Sequence, residues 1–127
     1  MTSQPLKEIR ICFAGESHIN GTGDPKCLGW AGRICQDAFS KGFDVTYYNL
    51  GVRGETSSQL RKRWLQEVSY RLPQKYDNRV VFSFGANDTN IENGKTRVSL
   101  RNSITNLEDI LSIAKDLYPV LVVSAPP

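Results

Sequence analysis

The stretch that decides the fold is residues 10–18, Arg-Ile-Cys-Phe-Ala-Gly-Glu-Ser-His. Its apolar, β-branched and aromatic residues form a run that is too short for a helix and typical of a buried strand. Gly15 permits a sharp turn, and Ser17 follows just beyond the carboxyl end of the strand. Ligands bind at that edge in open α/β sheets, so Ser17 is a candidate nucleophile. A serine that only caps a turn or a helix is the alternative interpretation.

Strand and helix patterns alternate along the rest of the chain. The predicted strands cover residues 9–14, 44–50, 79–85 and 120–124, and the predicted helices cover 29–41, 56–72 and 98–118, with a long polar loop over 17–29. This alternation predicts an α/β protein with a parallel sheet and right-handed crossovers. We expect a flavodoxin-like, three-layer α/β/α architecture with strand order 2-1-3-4.

Each predicted helix has an apolar stripe at helical spacing. The stripes are Trp30, Ala31, Ile34, Cys35, Ala38 and Phe39; Leu60, Trp64, Leu65, Val68 and Leu72; and Leu100, Ile104, Leu107, Leu111, Ala114 and Leu117. Thr56 and Gln59 form a capping box for the second helix. The opposite face of that helix is rich in charge, including Arg61, Lys62 and Arg63, and is interpreted as a solvated surface.

Composition points to one domain over residues 1–127, with 39% hydrophobic residues and a net charge of +3. That charge is too small to argue for a nucleic-acid partner. No secretory signal or membrane-length apolar run is visible, so we expect a cytoplasmic protein without a membrane partner. Cys12 and Cys35 lie in apolar patterns and are expected to be reduced core residues rather than metal ligands.

Three polar positions are predicted to meet at the carboxyl edge of the sheet. Ser17 follows the first strand, Gly54 the second and Asn87 the third. An acyl-transfer site needs a nucleophile and hydrogen-bond donors directed at the oxyanion, which a glycine N–H and an asparagine amide supply. Taken singly, Gly54 is equally a turn residue, and Asn87 with Asp88 is equally an Asx turn.

These positions lie in stretches that resemble three motif blocks of the SGNH hydrolases, also called GDSL esterases and lipases. The blocks are Gly15-Glu16-Ser17, Asn49-Leu50-Gly51-Val52-Arg53-Gly54-Glu55-Thr56-Ser57 and Gly85-Ala86-Asn87-Asp88. The resemblance implies a flavodoxin-like sheet and hydrolysis of a small-molecule ester without metal or cofactor.

The resemblance also implies site residues. Ser17 is the expected nucleophile, and its N–H, the N–H of Gly54 and the side chain of Asn87 form the expected oxyanion hole. Glu16 and Asp88 are expected to support the loops rather than to act as a base.

Two departures from the family pattern stand out. Glu16 replaces the usual aspartate, and no segment matches the last block, Asp-x-x-His, which supplies the base and its orienting acid. The chain's one histidine is His18, for which the sequence reveals no orienting acid. We therefore expect these residues alone to be a poor esterase.

The sheet itself indicates a domain that is incomplete at its C-terminal side, before the last strand and helix. The apolar fourth strand would lie at a sheet edge, and strands three and four would be uncovered on the face of the first helix. An apolar edge and face of this kind invite self-association.

Two other functions stay open. The hydroxyls and glycines of residues 17–23 suit a flavodoxin-like module that binds phosphate or flavin. A non-catalytic SGNH-like protein is the second alternative.

Overall fold

The fold is described from a computed structural model over residues 6–125. The strands are β1 (Lys7–Gly15), β2 (Phe43–Gly51), β3 (Asn78–Ser83), β4 (Ile91–Glu92), β5 (Lys95–Thr96) and β6 (Val120–Val122). The helices are α1 (Ser17–Asn20), α2 (Gly29–Ser40), α3 (Ser57–Arg71) and α4 (Leu100–Leu117), with a 3₁₀ turn at Ala86–Thr89.

The main sheet is parallel and has the order β2-β1-β3-β6. Because β6 is the fourth strand of this sheet, the predicted order 2-1-3-4 is confirmed. Gly15, the last residue of β1, is level with Gly51 of β2 and with Ser83 of β3. The loops after these three strands therefore begin at the same edge.

Helices cover both faces of the sheet and complete the predicted three layers. On one face α3 and α4 bury Trp64, Val68 and Ile110 against Phe82 of β3. On the other face α2 and the short α1 pack against the alternate side chains of the strands. Strands that are covered by helices on both faces have mainly apolar sequences, as the central parts of β1 and β3 do.

The predicted cysteine environments are confirmed. Cys12 and Cys35 are buried, 0% and 6% exposed, and neither is in a disulfide. Burial raises the pKa of the Cys12 thiol to about 12, even though nearby Arg71 opposes the shift, and raises that of Cys35 to about 11. Both thiols therefore stay protonated and unreactive at neutral pH.

Two predicted apolar stripes are partly wrong. In α2, Ile34 and Phe39 are 54% and 62% exposed. In α4 the side facing the sheet carries Asn106, Ile110 and Ala114, and several predicted stripe residues are exposed instead: Leu100, Ile104, Leu107 and Leu117. The helical spacing of apolar residues predicted that each helix forms. Which of those residues are buried depends on where the sheet packs against the helix.

Two local predictions need correction as well. The expected loop over 17–29 begins with the helix α1, and a two-stranded hairpin, β4 with β5, lies between the 3₁₀ turn and α4. The capping box of α3 is confirmed, since the Thr56 hydroxyl accepts from Gln59 N and the Gln59 side chain accepts from Thr56 N.

The sheet is uncovered at β6, as the sequence predicts, whereas the same prediction is wrong for β3, because Val81 on the face of α2 is 8% exposed. Leu121 and Val122 of β6 are 59% and 46% exposed. Beside them, an open cavity of about 490 Å³ runs between β6, β3 and α2 and is lined by apolar side chains including Trp30 and Ile34. Self-association through this edge and face stays a prediction. No helix within residues 6–125 is long and apolar enough to cross a membrane.

Candidate active site

The end of β1 brings the backbone close to its neighbours. A Cβ built on Gly15 would lie 1.9 Å from the carbonyl oxygen of Ser83, so this position has room for glycine alone. The Gly15 carbonyl accepts a hydrogen bond of 3.0 Å from Val52 N, which fixes the loop after β2 against the end of β1. The chain then turns at Glu16 and starts α1 at Ser17.

Glu16 is the polar centre of this turn. It is 1% exposed, and its Oε2 accepts hydrogen bonds from Ser17 Oγ at 2.9 Å and from Asn87 Nδ2 at 3.4 Å. Its Oε1 accepts from the backbone N–H of His18 at 3.4 Å and lies 2.8 Å from Nδ1 of the same residue. The structure therefore brings Glu16, Ser17 and Asn87 together, although the last is distant in sequence.

The contact with Glu16 corrects the expectation that no acid orients His18. The longer glutamate side chain turns back around Ser17 and reaches the imidazole of the residue beyond it. Ser17 Oγ, in contrast, donates to Glu16 and makes no hydrogen bond to His18 among the described residues. The imidazole is thus oriented, but it is not bonded to the candidate nucleophile.

The loop after β2 supplies the other side of the site. Gly54 has a φ of +78°, a left-handed conformation that glycine adopts without strain. Asn87 Nδ2 donates at 3.0 Å to the carbonyl oxygen of the next residue, Glu55. Asn87 therefore touches the turn after β1 and the loop after β2 at once.

Two backbone donors at this edge are unpaired. Within residues 6–125, the N–H groups of Ser17 and Gly54 donate no hydrogen bond. Together with the amide of Asn87 they are the donors that the sequence predicts for an oxyanion hole. The structure places all three at one edge of the sheet, and their role stays a prediction.

Asp88 links the loop that carries Asn87 to two helices. It is 2% exposed, and its carboxylate accepts from Ser57 N at 2.8 Å, from Ser57 Oγ at 2.6 Å and from Ser103 Oγ at 2.7 Å. Hydrogen bonds of this kind satisfy a buried carboxylate without a cation. Asp88 is thus placed to hold α3 and α4 against the 3₁₀ turn.

Asn106 of α4 extends the same network and was missed by the sequence analysis. It is 4% exposed and donates at 2.9 Å to both Ser57 Oγ and Ser58 Oγ. The position of Asn106, a polar residue next to the apolar stripe of α4, was the one sign in the sequence that it could be buried.

Arg63 was also misinterpreted, because the structure places it inside rather than on a solvated face. Its guanidinium forms ion pairs with Glu55 at 2.7 Å and with Glu67, and donates to the carbonyl oxygens of Leu50 and Gly15 at 2.8 and 3.2 Å. Burial disfavours its charge, but the hydrogen bonds with the two glutamates outweigh that effect and raise the pKa of Arg63. Arg63 thus joins α3 to the ends of β1 and β2.

A cavity of about 360 Å³, with both polar groups and Trp30 in its wall, opens beside Ser17 and His18. Its wall includes Asp24, whose carboxylate accepts from Lys26 N and Gly29 N and pairs with Arg33 at 2.8 Å. The Lys26 amide, with smaller contributions from Gly29 and Arg33, lowers the pKa of Asp24 to about 2. The Asp24 carboxylate therefore stays ionised at neutral pH, with its charge balanced by Arg33. Within residues 6–125 no group of His, Cys, Asp and Glu side chains is arranged to hold a metal ion.

Comparison with known proteins identifies the class of this fold and site. The GDSL-like Lipase/Acylhydrolase family matches residues 13–127, which is most of the chain. The chain belongs to this family, the SGNH hydrolases. No curated protein matches it.

Solved structures show the same fold. AlinE4, described as an SGNH-hydrolase family esterase, superposes with a TM-score of 0.73 at 23% identity, covering 98% of this chain and 64% of that one. TesA gives 0.73 at 21% identity with 93% and 62% covered. A catalytic mutant of Axe2, an acetylxylan esterase from Geobacillus stearothermophilus, gives 0.73 at 18% identity with 94% and 61% covered. The chain thus spans less than two thirds of the length of these structures.

Arg63→Met should strongly destabilise the protein, because it leaves the buried carboxylate of Glu55 without its cation. Breaking a buried pair in this way costs about 3–5 kcal/mol. The matched control is Arg79→Met, whose pair with Asp77 is 43% and 32% exposed and is expected to contribute about 0–1 kcal/mol. Urea unfolding of both variants measures the difference. Equal losses of unfolding free energy would show that Arg63 does not stabilise the contact of α3 with the ends of β1 and β2.

Proposed function

We propose that this protein is a serine acyl hydrolase that cleaves a carboxylic ester, with Ser17 as nucleophile. The observation that carries the proposal is the contact of one buried carboxylate, Glu16, with both Ser17 Oγ and Asn87 Nδ2. This contact joins the candidate nucleophile to a candidate oxyanion donor from a different strand. The unpaired N–H groups of Ser17 and Gly54 at the same edge support it.

The proposed reaction is a two-step acyl transfer. Ser17 Oγ attacks the ester carbonyl while its proton passes to a base, and the negative charge on the carbonyl oxygen is stabilised by the N–H groups of Ser17 and Gly54 and by Asn87. The tetrahedral species expels the alcohol, which takes up a proton. Water then attacks the acyl-serine, releases the carboxylic acid and restores the hydroxyl.

The base is the component for which the chain offers no matching residue. No segment resembles Asp-x-x-His, and Ser17 Oγ donates to Glu16 rather than to an imidazole. Oxyanion stabilisation and binding alone leave a residual acceleration of about 10³–10⁴ over water in triad enzymes. We therefore expect slow turnover from these 127 residues.

The phosphate or flavin module has less support. Ser17, its candidate hydroxyl, bonds to the carboxylate of Glu16, and an anionic group at this position would repel phosphate. That alternative also leaves the convergence of Gly54 and Asn87 without a purpose. The non-catalytic alternative predicts the same contacts, and measured reactivity distinguishes it.

In a form of the protein that also carries the base, a fluorophosphonate should attach to Ser17, whose own N–H is one of the unpaired donors. Ser57 and Ser83 are 1% and 2% exposed and should stay unmodified. Peptide mapping by mass spectrometry locates the label, and Ser17→Ala is the matched control. A label on another serine, or equal labelling of the control, would contradict the assignment.

In the form that carries the base, Asn87→Ala should lower the rate of acyl transfer by roughly 10²–10³, the usual loss for one oxyanion donor. The readout is kcat with p-nitrophenyl acetate, together with the rate constant for fluorophosphonate labelling. Asn102→Ala, on the exposed start of α4, controls for loss of an asparagine elsewhere. Near-normal rates in Asn87→Ala would remove this residue from the mechanism.

A further inference from the structure

His18 is an oriented side chain in the candidate site to which the proposed reaction gives no task. It is the one histidine of the chain, and its side chain is 43% exposed. His18 lines the cavity of about 360 Å³ that begins at Ser17. A molecule bound at Ser17 that extends into this cavity therefore meets the imidazole.

Glu16 determines which ring nitrogen of His18 is available to such a molecule. A carboxylate oxygen 2.8 Å from Nδ1 only accepts hydrogen bonds, so Nδ1 carries a proton. In the neutral ring, Nε2 is then unprotonated and acts as an acceptor. Among residues 6–125 no group donates a hydrogen bond to Nε2. The ring thus offers a fixed, unused acceptor.

We propose that His18 Nε2 accepts a hydrogen bond from a hydroxyl group of the substrate, so that the site prefers esters that carry a free hydroxyl. The proposal rests on ester hydrolysis at Ser17 and names a substrate class for it. His18 follows Ser17 in the chain and both residues line the cavity, so a substrate that reacts at Ser17 can place a hydroxyl group at His18.

The rest of the cavity wall suits a polar substrate. Thr22 presents a hydroxyl that donates to Asn20 Oδ1 at 2.9 Å and keeps its own lone pairs free. Asp24 is anionic, and Arg53 adds an exposed guanidinium on the side of Gly54. Trp30 adds an aromatic surface to the same wall, and the hydroxyl groups of a substrate find several hydrogen-bonding partners beside it.

The first test reads the imidazole directly, because a chain with one histidine gives one set of ring ¹⁵N resonances. In the neutral ring we expect Nδ1 protonated and Nε2 unprotonated. Glycerol monoacetate, with hydroxyls on the alcohol, and propyl glycolate, with a hydroxyl on the acyl group, are compared with propyl acetate. At least one hydroxylated ester should shift the Nε2 resonance while propyl acetate does not, and the responding ester tells which side of the ester His18 reads. A ring protonated at Nε2, or equal responses to all three esters, would overturn the proposal.

The second test is kinetic and uses His18→Phe, which keeps a planar ring without the acceptor. For the responding ester KM should rise about 3- to 10-fold, the effect of one neutral hydrogen bond, with kcat little changed. For propyl acetate KM should stay the same. An equal change for both esters would show a structural effect instead.

Fluorophosphonate labelling distinguishes failure of the hydroxyl site at His18 from failure of the proposed ester hydrolysis at Ser17. Labelled Ser17 with an unresponsive Nε2 contradicts the hydroxyl site and leaves ester hydrolysis standing. In the form that carries the base, an unlabelled Ser17 contradicts ester hydrolysis, whatever the imidazole does.

Discussion

The site depends on the register of β1 between its two neighbours. Gly15 pairs with Gly51 of β2 and with Ser83 of β3, so the loops that follow the three strands begin at the same level of the sheet. The absence of a side chain at Gly15 allows this pairing, because a Cβ there would meet the Ser83 carbonyl oxygen at 1.9 Å. A slip of one residue would send every side chain of β1 to the opposite face and separate the three loops.

Buried carboxylates then hold these loops together. Glu16 accepts hydrogen bonds from two elements, and Asp88 accepts from α3 and α4. Glu55 is paired with Arg63, which also binds carbonyl oxygens at the ends of β1 and β2. Each charge is surrounded by donors, as burial requires. The hydroxyl of Ser17 is held at this edge by its hydrogen bond to Glu16.

The sequence predicted the sheet because periodicity and turn residues report on local structure. It predicted Ser17, Gly54 and Asn87 as neighbours because parallel strands have their carboxyl ends at one edge. It missed Arg63 and Asn106, since a charged or polar residue on a helix reads as solvated until the elements packed against it are known.

The contact between Glu16 and His18 illustrates a second limit. An alternating or helical pattern predicts the face on which a residue lies. It does not predict that the Glu16 side chain reaches past Ser17 to contact His18. One added methylene, from aspartate to glutamate, extends the reach of the carboxylate. The apolar flank of α4 that includes Ile104 and Leu107 was misplaced for a related reason, because the sheet packs beside the stripe rather than under its centre.

The most direct measurement is a crystal structure of the protein carrying a phosphonyl group on Ser17. The account predicts that a phosphonyl oxygen accepts hydrogen bonds from the N–H groups of Ser17 and Gly54 and from Asn87 Nδ2. It also predicts that Asn87 gives up its 3.4 Å contact with Glu16 and keeps the 3.0 Å contact with Glu55. A phosphonyl oxygen directed into solvent, with Asn87 still bound to Glu16, would contradict the account.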